Sequence, residues 1–140
     1  MEVIVSRGKP GVGRAILAIV LAGIWVNLFE FVRNMVLLTG QWETHYQGLG
    51  LVFPSAPLNG AVWGIWAFVF AGTIYVLTRR FGLWSATLLG WVMGFVLMWL
   101  VVGNMLVLPF GILPVAIPMS FVETLGAAFI CRKLAKPAKA

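Results

Sequence analysis

The chain has very few charged side chains. Asp, Glu, Lys and Arg make up only 10% of its 140 residues, whereas about 25% is usual in soluble globular domains. Hydrophobic residues make up 61%, and the mean hydropathy is +1.00. Too little polar surface remains to cover a domain exposed to water. The composition therefore excludes a soluble enzyme domain and a disordered tail, and it indicates an integral membrane protein.

Cysteine and histidine each occur only once, which excludes several kinds of site. Cys131 has no second cysteine with which to form an intrachain disulfide or a cysteine-rich metal site. His45 alone excludes haem ligation by two histidines and a multi-histidine metal site within one chain. Cys131 directly precedes the basic residues after the last apolar segment. It is therefore predicted to be a small hydrophobic residue at the membrane interface, with palmitoylation as the alternative.

Motifs of catalysis and cofactor binding are also missing from the sequence. The chain contains no Walker motif, Gly-x-Ser-x-Gly, His-Glu-x-x-His, Cys-x-x-Cys-His or potassium-filter sequence. We therefore expect no cofactor and no metal, assign no catalytic residue, and favour a protein that is not an enzyme.

Four segments are long and apolar enough to cross a bilayer, which takes about 20 residues in a helix. We predict spans at residues 15–38, 58–78, 83–108 and 112–131, an outer loop at 39–59 and a basic cytoplasmic tail at 132–140. The loop is rich in Gly, Pro and polar residues, and the other connections are short. The predicted fold is an all-α integral membrane protein, with residues 1–140 forming a single domain of four transmembrane helices in an up-down bundle.

The basic residues fall in alternate connections of this arrangement. Neither the 39–59 loop nor the turn at 109–111 contains Lys or Arg. By the positive-inside rule, both termini are predicted to be cytoplasmic, and the inner membrane of a bacterium is the expected location. Because the charge is spread along a membrane surface without a base-reading motif, no nucleic-acid partner is expected. Nine of the ten basic residues follow the pattern: Arg7, Lys9, Arg14, Arg79, Arg80, Arg132, Lys133, Lys136 and Lys139.

Small residues at four-residue spacing indicate close packing of helices in a membrane. Gly60 and Gly64 begin the second predicted span, and Gly90 and Gly94 lie inside the third. Both pairs are predicted to pack within the monomer. Pro118 removes a backbone donor in the fourth span, so we expect a distorted or kinked helix there.

Three ionisable residues are predicted inside spans: Glu30, Arg33 and Glu123. A charge at the bilayer centre costs roughly 2.5–3.5 kcal/mol on an insertion scale, so such residues face a bundle interior and find partners. Arg33 lies three residues after Glu30, which allows a pair on one helix. Glu123 has no base within a helical turn, so Arg33 or the polar face of the first span is its predicted partner. That face consists of Gly23, Asn27, Glu30 and Asn34.

Two interpretations of these residues remain open. In the first, a Glu–Arg–Glu cluster only locks the helices together. In the second, the carboxyl groups form a proton or cation site, because an unpaired buried carboxylate binds a proton. The spacing favours the first slightly for Glu30 and Arg33, and the second slightly for Glu123.

The remaining candidates lie around this cluster. Asn104 on the third span and His45 in the loop are predicted near an outer pocket formed with Glu30, Arg33 and Asn34. Trp63 and Trp66 share a helix face, and aromatic walls beside a carboxylate suit an organic cation. Filling of the core is the more common role of such residues.

Three functions follow from these observations. The first is a small membrane protein, oligomeric in the membrane, that binds or translocates a proton, ion or small molecule. The second is a non-catalytic accessory or scaffold subunit of a larger membrane complex. The third is an enzyme acting on a lipid or isoprenoid, with Glu30, Glu123 or His45 as acid or base. In size, span number and acidic first helix the layout is similar to that of small multidrug antiporters, although their motif is not found here. The expected partners are the lipid bilayer and either further copies of the chain or other subunits.

Overall fold

The computed structural model describes residues 10–135, and this part of the chain is all-helical, without strands. Four of its helical segments are long and apolar enough to cross a membrane, as the sequence predicted. The basic residues Arg7, Lys9, Lys136 and Lys139 lie outside the described residues. The four candidate spans, numbered in chain order, are Val12–Leu37, Pro57–Arg80, Leu83–Asn104 and Phe110–Leu134.

Span 1 consists of helix α1, Val12–Phe31, and a π-helical turn, Val32–Leu37. Its apolar sequence contains no proline, so nothing interrupts the α-helical hydrogen bonds of α1. In the following turn the backbone N–H of Leu38 donates to the carbonyl of Arg33 at 3.0 Å, five residues back. Such a π turn accommodates one extra residue and is common at functional sites.

Helix α2, Thr39–Gly48, occupies the first half of the segment that the sequence predicted to be a loop. The loop prediction was wrong there because the two glycines of this half, Gly40 and Gly48, lie at the ends of α2, and both prolines of the segment follow it. The chain turns after α2, where Gly50 adopts a positive φ of 72°. Trp42 packs from α2 against buried Leu38, Leu108 and Ile112.

Span 2 is slightly longer than predicted, and span 3 is shorter. Span 2 is one helix, α3, Pro57–Arg80, whose proline occupies the first turn, where no backbone donor is needed. Span 3 begins with α4, Leu83–Trp91, continues through a second π-helical turn, Val92–Val96, and ends with α5, Leu97–Asn104. The predicted extension to residue 108 is wrong because Leu106 has a φ of 61°, which no α-helix contains.

Span 4 begins with a 3-10 turn, Phe110–Ile112, and continues as helix α6, Leu113–Leu134. Pro118 lies inside α6 without ending it. Cys131 is also inside α6 and is fully buried. The helix extends three residues beyond the predicted end of the span, and Cys131 packs in the core as a small apolar residue, while its place at the membrane interface stays a prediction.

The bundle packs through small residues. Span 1 contacts spans 2 and 4, and span 4 also contacts spans 2 and 3. A Cβ on Gly90 or Gly94 would collide with Ile74 or Phe70, which confirms the packing predicted for that pair. Gly60 has no neighbour within 4 Å of such a Cβ, so the same prediction was wrong for Gly60. Large apolar side chains cover the outward faces, as expected of helices surrounded by lipid; Ile65 and Leu100, for example, are each 65% exposed.

Candidate functional site

Arg33 joins the two acidic residues of the spans in one buried cluster. Its Nη2 donates to Oε1 of Glu30, and its Nη1 donates to Oε2 of Glu123 at 2.5 Å. All three residues are buried: Arg33 is 3% exposed, Glu30 is 8% exposed and Glu123 is 0% exposed. The predicted pairing of Arg33 with one or both acids is thus confirmed, and it includes both. We call Glu30, Arg33 and Glu123 the ionic cluster.

Local helix geometry explains how one guanidinium reaches two carboxyl groups on different spans. Glu30 and Arg33 are three residues apart, so their side chains lie on one face of span 1. Arg33 belongs to the π turn, whose extra residue shifts the side chains that follow relative to α1. Span 4 packs against span 1 through small residues, and Glu123 projects from it into this contact.

Asn34 extends the ionic cluster toward helix α2. Its Nδ2 donates to Oε2 of Glu30 at 2.8 Å and to the Glu30 carbonyl at 3.2 Å. Its Oδ1 accepts a hydrogen bond from Nε1 of Trp42 at 3.1 Å. The hydroxyl of Thr39 donates to the Asn34 carbonyl at 2.8 Å. The first turn of α2 is therefore bonded to the residue that contacts Glu30.

Phe95 completes the surroundings of Arg33, and sequence reasoning missed it. The Phe95 ring centroid lies 5.2 Å from the guanidinium carbon, within the range of a cation–π interaction. Phe95 is 1% exposed and belongs to the second π turn, so a π turn from each of two spans borders the ionic cluster. Its position among many apolar residues gave no signal by which to single it out.

The two predicted tryptophans differ in their relation to the ionic cluster. Trp66 stacks on Phe70 with a centroid distance of 5.0 Å and meets the edge of Phe95 at 5.7 Å. Trp63 contacts Trp66 at 5.7 Å but is 45% exposed on the outside of the bundle. Among the ring contacts, Phe95 links Trp66 to the ionic cluster, and Trp63 is one ring further away.

Glu123 is the least hydrogen-bonded member of the ionic cluster. Within residues 10–135, its Oε1 is buried and has no hydrogen-bond partner. The indole of Trp25 donates to the backbone carbonyl of Glu123 at 3.0 Å, not to its carboxyl group. The neighbouring hydroxyl of Thr124 donates to the Ser120 carbonyl at 2.8 Å. One carboxylate oxygen in the core is thus left without a donor.

The other predicted site residues lie outside the ionic cluster. Asn27 donates to the Gly23 carbonyl of its own helix at 2.9 Å. His45 contacts the Leu106 carbonyl at 2.9 Å and so ties α2 to the turn after span 3. Asn104 is exposed at the end of α5. The structure therefore gives neither Asn104 nor His45 a hydrogen bond to the ionic cluster, and the outer pocket that they were predicted to border stays a prediction.

The donor set bears on what the ionic cluster can bind. Among residues 10–135 there is no group of three or more His, Cys, Asp or Glu side chains that could hold a metal ion. With both carboxyl groups ionised, the ionic cluster would carry one negative charge more than Arg33 neutralises. Burial of a net charge is costly, and the uptake of one proton would remove this net charge.

Comparisons with known proteins do not indicate what the ionic cluster binds. No protein-family model matches the chain, and no match is found among curated proteins or solved structures. The fold and the site themselves define the class: an all-helical protein with four candidate membrane spans around a buried ionic cluster.

Proposed function

We propose that this chain is an integral membrane protein that binds one exchangeable proton at the ionic cluster and couples this binding to the movement of a proton, ion or small solute. The observation that carries the proposal is the buried Oε1 of Glu123, which has no donor within the described residues. A proton on this carboxyl group makes the ionic cluster neutral without breaking either contact of Arg33.

The same proposal includes an up-down arrangement with both termini in the cytoplasm of a bacterium. Two contacts support it. Nη1 of Arg79 donates to the Ala135 carbonyl at 3.0 Å, which brings the end of span 2 to the end of span 4. His45 and the Leu106 carbonyl bring α2 to the opposite connection. The basic ends of spans 2 and 4 then share one face, as the positive-inside rule requires.

Labelling from the two sides of the membrane tests this orientation. Val52 is 90% exposed after α2, and Arg80 is exposed at the end of α3. In a Cys131→Ala background, Val52→Cys is expected to react with an impermeant maleimide from outside intact cells, whereas Arg80→Cys reacts only after permeabilisation. The reverse pattern would overturn the orientation and leave the proton site to be tested separately.

Infrared difference spectroscopy tests the proton site. Purified protein in lipid is expected to show the C=O stretch of a protonated carboxyl group at neutral pH, and Glu123→Gln is expected to remove it. Glu43→Gln is the control, because Glu43 is exposed on α2. A spectrum without this band, or a band that survives Glu123→Gln, contradicts the proposal.

Proton flux into vesicles tests the coupling. Reconstituted wild-type protein is expected to acidify the lumen of vesicles under an inside-negative potential, and the Glu123→Gln variant is not. If binding is present but flux is absent with every potential and solute gradient applied, the protein binds the proton without moving it.

An accessory subunit is the second candidate, and the extent of pairing around Arg33 favours it. A guanidinium that contacts two carboxyl groups and an aromatic ring forms a lock between spans 1, 3 and 4. This role predicts no protonated carboxyl band and a chain that is unstable without other subunits. A stable homo-oligomer with the band supports the first candidate.

A further inference from the structure

The orientation of the Asn34 amide is determined by Trp42. An indole nitrogen can only donate, so the atom of Asn34 that faces it has to be the oxygen. Nε1 of Trp42 and Oδ1 of Asn34 are 3.1 Å apart. The amide nitrogen is thereby turned toward Glu30, where Nδ2 lies 2.8 Å from Oε2.

This orientation makes the two carboxyl groups of the ionic cluster unequal. Both oxygens of Glu30 accept hydrogen bonds, Oε1 from Arg33 and Oε2 from Asn34. Hydrogen bonds donated to both oxygens stabilise the ionised form of a carboxyl group. Glu123 accepts on Oε2 only, and its Oε1 has no donor within residues 10–135.

We infer that Trp42 is a positioning residue: through Asn34 it keeps Glu30 ionised, and it thereby places the exchangeable proton of the ionic cluster on Glu123. This inference rests on the proposed function and adds its regulation by α2. Trp42 is itself held by rings of the same surface segment, with centroids 5.8 Å from Phe53 and 6.3 Å from Tyr46. A movement of α2 away from the bundle would release the amide and let the proton exchange between the two carboxyl groups.

The groups that face the two carboxyls come from few elements. Span 3 has no titratable residue and contributes the Phe95 ring. The titratable residues of span 2 are confined to its last two turns, at Tyr75, Arg79 and Arg80. On α2, Glu43 is exposed and His45 contacts the Leu106 carbonyl. Besides Glu123, the titratable residues of span 4 are Cys131 and the basic residues at its end. Arg33 is therefore the cation that both carboxyls share, and the two carboxyls also interact with each other.

Carbodiimide labelling tests the inference residue by residue. Dicyclohexylcarbodiimide adds to protonated carboxyl groups in apolar surroundings, and mass spectrometry of the digested protein locates the adduct. In the wild-type protein the adduct is expected on Glu123. Trp42→Phe keeps an aromatic ring but removes the N–H, and it is expected to lower the ratio of Glu123 to Glu30 adduct by roughly tenfold or more, the value of one hydrogen bond to a charged group. Trp84→Phe, at a tryptophan that is 63% exposed, is the control and is expected to leave the ratio unchanged.

A second variant separates positioning from mere access. Asn34→Leu leaves Trp42 in place but removes the donor to Glu30, so it is expected to change the ratio in the same direction, and it tests the inference even if Trp42→Phe does not fold. A change in Trp42→Phe alone means that the smaller ring only opens Glu30 to the reagent, which overturns the inference. An unchanged ratio in both variants also overturns it but leaves the proton site of Glu123 intact. A wild-type protein without any adduct in the ionic cluster contradicts the proposed function itself.

Discussion

The two halves of the bundle are built from opposite kinds of residue. Beside α2 lies the ionic cluster, bordered by two π turns and the ring of Phe95. The apolar core beside the ionic cluster has no charged side chain, and half of its ten buried residues are alanines that are each 0% exposed, which we call the alanine layer. The alanine layer consists of Ala22, Ala67, Ala71, Ala127 and Ala128.

The alanine layer is suited to holding the spans in one arrangement, and the ionic cluster is suited to changing its hydrogen bonds. Alanines and glycines let helix backbones approach closely, and a close-packed layer has one arrangement. The ionic cluster instead depends on long side chains, on an amide that can rotate and on π turns that interrupt the α-helical hydrogen bonds. A region of this kind can change its hydrogen bonds at small cost in packing, which suits a binding site.

Removal of the central charge is expected to have the largest effect. Arg33→Ala leaves two acids buried without a cation, and the loss of one partner from a buried pair costs about 3–5 kcal/mol. Arg80→Ala removes an exposed charge, for which about 0–1 kcal/mol is expected. Thermal unfolding in one detergent measures both variants. Equal losses would mean that the ionic cluster does not stabilise the bundle.

The two glutamates provide a sharper comparison. Glu30→Gln removes the carboxylate that accepts on both oxygens, so a loss of about 1.5–3 kcal/mol is expected. Glu123→Gln resembles the protonated side chain that we propose, and less than about 1 kcal/mol is expected from the loss of an ordinary hydrogen bond. Chemical unfolding curves of both variants decide the order. A larger loss for Glu123→Gln would favour the structural lock over the proton site.

The glycine at the border of the two halves tests the packing. A Cβ on Gly126 would collide with the ring of Trp25, whose indole nitrogen donates to the Glu123 carbonyl. Gly126→Ala is therefore expected to cost about 1–3 kcal/mol through overpacking. Gly72→Ala is the matched control, since nothing lies within 4 Å of its Cβ. There a gain of about 0.5–1 kcal/mol in helix stability is expected instead. Losses of the same size at both glycines would contradict the packing.

The smallest effect is expected at the edge of the polar half. His45→Ala removes the contact with the Leu106 carbonyl, which is worth about 0.5–1.5 kcal/mol as a single hydrogen bond. Thr44→Ala, at the exposed neighbour, is the control and is expected to have no measurable effect. Thermal unfolding measures both variants. If His45→Ala abolishes proton binding while the fold is kept, His45 belongs to the site after all.

Much of the candidate site could be predicted because short-range geometry determines it. The three-residue spacing of Glu30 and Arg33 indicates an ion pair on any regular helix. The absence of a base near Glu123 in the sequence left Arg33, the one basic residue inside a predicted span, or the polar face of the first span as its partner. The end of span 4 was misplaced for a different reason, because hydropathy locates a span but not the residue at which its helix ends.

The sequence by itself determined the four apolar spans, since a bilayer accepts only long stretches with few charges. It also indicated that Glu30 and Arg33 can form an ion pair inside a span, because they lie three residues apart. Only the tertiary structure decided that α2 folds against the bundle, that two π turns border the ionic cluster and that Phe95 contacts Arg33. It also decided which oxygen of Glu123 is left without a donor. These features depend on contacts between residues up to 90 positions apart, and no local pattern records which of many similar apolar side chains will meet there.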